Sequence, residues 1–248
     1  MYKNIFVVAA VTALFFTGCG GSGKDDKVNL DAAVAYKTSG AYDFSDYLVP
    51  KEKSINVYEE RTYENKSGKK KFSGDPLRDT YSYKYDINGT HITVRNGNDE
   101  IEERYMVKPD RIELMDTDNN TSLARFVDKG DYILSISENR TQNSIPTVAK
   151  KACKVIGHDD QKSIDNTEYS DVLKVECTGR EEGKSSSEST ELGYLNEESS
   201  TLYFAKGKGM VYSEEVSCKT LSVSLGDNKN DTSTCKKVIV SLISHNRL

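Results

Sequence analysis

The chain has 248 residues, of which 36% are hydrophobic and 29% charged, with a net charge of −5. That balance lies outside the disordered range, and the negative sign argues against nucleic acid as a partner, because binding a phosphate backbone depends on basic patches. Fifteen tyrosines and no tryptophan point to a sheet-rich body with amphipathic edges.

Met1 to Asn4 carry one cation, Lys3, and Ile5 to Phe16 are apolar apart from Thr12. This is the layout of a secretory signal, and the run is too short for a transmembrane helix, which needs about 20 apolar residues. Phe16-Thr17-Gly18-Cys19 closes the run. The segment resembles bacterial lipoprotein signal peptides, with Phe16 at the lipobox position where Leu is commoner. The resemblance marks Cys19 as the acylated residue, implies palmitate-type chains on it, and places the protein in the cell envelope. In enteric-type sorting, Gly20 after the cysteine favours the outer over the inner membrane. Residues 1–18 are then the signal, 19–29 the lipidated cysteine with a Gly/Ser-rich flexible tether, and 30–248 a single β-rich domain. An ordinary signal peptide with an incidental Cys19 is the plainer alternative.

Residues 30–36 have helical composition. From residue 54 onward, short runs with strand chemistry follow one another at 55–63, 80–86, 90–95, 100–107, 111–115, 123–127 and 132–136, separated by Gly, Asn and Asp. Asn88-Gly89 and Asn96-Gly97 are expected to be hairpin turns with positive φ at both central residues. Lys69 to Lys71, the one basic run, reads as a solvated hairpin tip. Tyr81, Tyr83 and Tyr85 share one face of a strand. Core packing is the ordinary explanation, and lining a concave cavity for an apolar ligand is the sharper one.

Asp116, Asp118 and Asn120 alternate as in a calcium loop, but Thr121 stands where the glycine belongs and Val127 where the bidentate Glu does, so a turn accounts for them equally well. Asn88 and Asn120 each have an acid two residues before and a hydroxyl two after. This pattern resembles the acceptor of bacterial N-glycosylation, which would place both on the surface.

Four cysteines remain beside Cys19, an even number that suits an oxidising compartment. Folding the chain about Asp165 sets Cys153 opposite Cys177, and the same register puts Cys153, Val155, Leu173, Val175 and Cys177 on one apolar side with Lys154, Lys174 and Glu176 in solvent. Cys218–Cys235 follows by elimination, with a bulge expected between Val216 and Leu221, where the apolar phase shifts.

Residues 179–189 lack apolar side chains and read as a solvated loop. The Gly179–Ser185 stretch has one residue too few between its glycines for a phosphate loop, and Glu181 and Glu182 would repel a phosphate. Strands are expected at 202–205, 210–216 and 237–243. The stretch YFAKGKGMV at 203–211 resembles an element of exported half-barrel or lipocalin-like β-sheet lipoproteins. Gly207 and Gly209 would supply its tight turn.

His91, His158 and His245 are isolated, no metal spacing occurs, and no nucleophile elbow is present in the sequence. The expected architecture is mainly β: one antiparallel meander curled into a half barrel, open barrel or sandwich, with two disulfides. The expected function is a non-enzymatic, membrane-anchored binding or interaction module without a cofactor, its partners being the membrane through the anchor and an unidentified protein or apolar ligand. A carrier of a lipid or other apolar ligand comes second and an envelope hydrolase last.

Overall fold

The computed structural model describes residue 30 and residues 43–248 except 67, 110, 116–120, 125–131, 143, 187–189 and 226–227. The lipobox, Cys19, the tether, nearly all of the 30–36 helical candidate, and Asp116, Asp118 and Asn120 lie outside the described residues.

Among the described residues one helical turn, α1 (Ser45–Leu48), precedes twelve strands: β1 (Ser54–Asn65), β2 (Leu77–Asn88), β3 (His91–Arg95), β4 (Ile101–Val107), β5 (Ile112–Met115), β6 (Thr121–Ala124), β7 (Tyr132–Gln142), β8 (Ile145–Ile164), β9 (Thr167–Ser186), β10 (Thr190–Ala205), β11 (Gly209–Leu225) and β12 (Asn228–Arg247). They form one antiparallel sheet in the order β6-β5-β4-β3-β2-β1-β12-β11-β10-β9-β8-β7. Every strand therefore pairs with its neighbours in sequence except at the β6–β7 step, and the first strand pairs with the last. The sheet is not closed: consecutive strands β6 and β7 lie at its two edges.

A lone sheet has nothing to cover its apolar face unless it bends around itself. Side chains of β1, β2, β8, β9, β10 and β12 meet in one cluster, with Tyr58, Tyr83, Tyr85, Val155, Leu173, Val175, Leu202, Phe204 and Val240 all buried. The sheet thus wraps its own concave face. Phe44, just before α1, meets Phe204 edge to face at 5.3 Å, and α1 sits against the β10–β11 turn, where the Gly207 amide donates to the Asp46 carbonyl at 2.7 Å. Gly207 and Gly209 both have positive φ, at 71° and 84°, the tight turn expected of them.

The Cys153–Cys177 register holds as expected, with Val155 opposite Val175 and the chain reversing at Asp165-Asn166, where both residues have positive φ. The Cys218–Cys235 bridge also forms, but β11 and β12 pair without a register shift from Tyr212 to Leu225. The expected bulge is absent there because polar Ser217 and Lys219 continue the inward phase of Ser213 and Glu215. Alternation along β11 consequently sets Cys218 on the opposite face of the sheet from Cys153–Cys177.

Four other expectations are corrected. Residues 179–186 continue β9, and the last three strands run far beyond 202–205, 210–216 and 237–243. Asn88 is the last residue of β2, so the central turn pair is Gly89-Thr90, with positive φ at Gly89. Around Asn96-Gly97 the positive φ falls on Asp99, because the Asn96 side chain accepts from the amides of Asn98 and Glu100 and widens the loop.

Candidate functional site

The tyrosine stripe is core. Tyr58 on β1 stands opposite Tyr81 on β2, with ring centroids 5.9 Å apart, and Tyr81 meets Tyr83 at 5.5 Å. Tyr83 and Tyr85 are buried and Tyr81 partly so. The Tyr58 hydroxyl accepts from Asn56 and donates to the Met210 carbonyl, and burial pushes its pKa to about 12. On β4 the buried Tyr105 hydroxyl donates to Glu103, whose carboxyl burial raises to about 8, against the lowering effect of that hydrogen bond.

Farther along the long strands the concave face turns polar. One rung across the sheet reads Lys151, Gly179, Glu198, Ser217, Lys236 and Glu64. Lys151 and Glu198 are each 3% exposed and ion-paired although β9 runs between their strands. Gly179 makes this possible: a Cβ there would stand 2.9 Å from Glu198 Oε2. The Glu198 side chain lies over the glycine and reaches across it. In the neighbouring rungs the Thr147 hydroxyl donates to fully buried Glu181 at 2.5 Å, and burial together with the nearby Glu181 carboxylate raises the Tyr194 pKa to about 12. Buried charges need partners of this kind.

At the other end of the long strands the β8–β9 hairpin leaves the sheet. A register shift between Val155 and Gly157 and a left-handed Asp171, at φ 53°, bend it back. Its tip lies over the convex face. There Arg61 and Ser241 both donate to Asp165 at 2.6 Å, holding that carboxyl below the usual range, with the Ser241 bond as the largest cause. The Tyr169 hydroxyl donates to the Leu242 carbonyl.

The bend itself ties to α1. Asp171 Oδ1 takes the Tyr47 hydroxyl at 2.5 Å and His158 Nε2 at 2.8 Å, and Lys206 stands 3.2 Å from Oδ2. Burial alone would raise the Asp171 pKa, yet these hydrogen bonds outweigh it and hold it low. His158 is thus bound up in fastening α1, His245 stands 2.6 Å from the Asn56 amide oxygen, and His91 is exposed.

Between the bent hairpin and the sheet opens a cleft of about 460 Å³, within the usual range for small-ligand sites. The floor is Tyr203 and Tyr212, cross-strand partners with centroids 5.9 Å apart. Lys162 and Ser163 of the hairpin form the roof, and Lys174, Thr201 and Glu214 the walls. The Lys162 ammonium lies over the Tyr203 ring at 5.3 Å. Reading from sequence missed this cleft. Its residues are ordinary outward-facing strand residues, and only the fold-back of 158–171 makes a recess of them. Among the sequence candidates, Asn88 is exposed at the end of β2, as its glycosylation pattern requires, while Asn120 and Cys19 lie outside the described residues.

No family model, curated protein or solved structure matches this chain.

Proposed function

We propose that this chain is an exported bacterial lipoprotein, tethered through acylated Cys19 with the outer membrane favoured over the inner, that acts as a non-enzymatic binding module. The observation that carries the reading is Phe16-Thr17-Gly18-Cys19 at the end of a twelve-residue apolar run. One acyl chain gives only marginal attachment, whereas two or three hold a protein at the membrane durably.

The geometry supports binding over chemistry: the His158–Asp171 pair is engaged in holding α1. It also favours an interaction module over a carrier of apolar ligands, because Tyr58, Tyr83, Tyr85, Tyr105 and Phe204 occupy the concave side. The two cystines suit an oxidising compartment.

Growth of producing cells with labelled palmitate tests the proposal. Label is expected in the mature protein and is expected to vanish with Cys19→Ser. A soluble, unlabelled mature product would overturn it.

A further inference from the structure

We infer that the convex-face cleft binds saccharide, with a sugar ring laid on Tyr203 under the β8–β9 hairpin. The inference builds on the reading of the protein as a binding module and adds the place and the ligand class.

The charges in and around the cleft are already partnered. Lys162 pairs with Asp159 at 3.1 Å, Lys174 with Glu176 at 3.3 Å, Asp165 with Arg61 at 2.6 Å, and Glu214 with Lys237 at 2.7 Å. A phosphate or other anion would have to draw a lysine away from its carboxylate, and a cationic ligand would meet the converse obstacle. A neutral polyol needs neither displacement. Its hydroxyls accept from ammonium groups and donate to carboxylates that stay in their pairs.

An acyl chain fits the cleft poorly, since it would strip water from Lys162, Lys174, Thr201 and Glu214 without replacing their hydrogen bonds. A sugar ring has both kinds of surface. Its C–H face suits the face of a tyrosine, where the quadrupole is negative; the Lys162 ammonium, which lies over that ring, swings aside to admit the sugar while keeping its pair with Asp159. Its hydroxyl rim would reach Ser163, Thr201 and Glu214. The Tyr212 hydroxyl already donates to Glu214 Oε2 at 3.1 Å, which fixes the orientation of that acceptor. The floor sits on two paired strands and the roof is fastened by Asp165, so the recess exists before any ligand arrives, which lowers the entropic cost of binding.

The test is titration of the full-length lipoprotein in detergent with chitotriose, cellotriose and maltotriose, read by saturation-transfer NMR and calorimetry. At least one of the three is expected to bind saturably through its ring C–H protons. Tyr203→Phe is expected to keep the affinity within about threefold, and Tyr203→Ala to lower it more than tenfold. Because Tyr203 also packs against the core, Ser163→Met, at an exposed hairpin position that narrows the cleft, provides a second variant and is expected to lose binding in a protein of unchanged melting temperature. Inorganic phosphate should not compete. Absence of saturable binding by all three sugars, competition by phosphate, or binding indifferent to both Tyr203→Ala and Ser163→Met would each overturn the inference. Palmitate labelling of Cys19 reads out separately, so loss of the sugar site leaves the anchoring result standing.

Discussion

The strands of β1–β6 are 4 to 12 residues long, and those of β7–β12 run from 11 to 20. The halves stabilise their concave faces by different means. In the short half, tyrosine rings from β1, β2 and β4 fill the available depth, and each aromatic ring buries about 150–250 Å². The long half outreaches that core. A 20-residue strand extends roughly 65 Å, and the inward positions beyond the apolar cluster carry Lys151, Glu181, Asn196, Glu198 and Glu215, all buried. There the sheet relies on a charge pair laid across a glycine, while one cystine staples the edge of the apolar cluster and the other ties β11 to β12 on the opposite face. The contrast shows that strand length beyond the reach of a common core has to be met with partnered polar groups or covalent staples.

The sharpest way to break the contrast is to unpair the buried charges. Glu198→Ala should cost about 3–5 kcal/mol, since Lys151 would stay buried without that carboxylate. The double variant Lys151→Met, Glu198→Met should cost far less, because two apolar side chains replace both charges together. Denaturant unfolding of the three proteins checks this, and equal losses for single and double variants would contradict it.

Next come the cystines, which close loops with sequence separations of 24 and 17. In the chain-entropy model Cys153→Ser with Cys177→Ser should cost about 3.5 kcal/mol, and Cys218→Ser with Cys235→Ser about 3. Amide exchange should show the loss concentrated in β8–β12, leaving β2–β4 protected. Uniform loss of protection across the sheet would mean that the halves do not differ as described.

The smallest expected effect lies in the short half and depends on pH. Burial raises the folded-state pKa of Glu103 from 4.5 to about 8, so the folded protein holds that proton more tightly than the unfolded chain. Its contribution is complete below pH 4.5 and is lost as pH rises through about 8, by on the order of 2–3 kcal/mol between pH 5 and 8. Glu103→Gln should flatten this part of the profile, as followed by melting temperature across that pH range.

Much of the fold was legible because it obeys local rules. Strands β1 to β5 show the alternation and turn residues of a meander, and the Cys153–Cys177 register follows from symmetry about Asp165 combined with the apolar phase. The reading failed where inward positions are polar. Gly179, Glu181 and Gly183 alternate inward just as Leu173, Val175 and Cys177 do, yet without apolar side chains they resemble a loop. Glu198 and Lys151 become partners only when β8, β9 and β10 lie side by side.

The sequence alone determined the sheet class, the first cystine's register, and the glycines of the β10–β11 turn, since each rests on residue type and near-neighbour spacing. Tertiary structure decided the rest: the pairing of β1 with β12, the polar depth of the long strands, the fastening of α1 through Asp171, and the cleft under the bent hairpin. Those features join residues from distant parts of the chain, and the free energy of such contacts depends on burial and on partners that no local window contains.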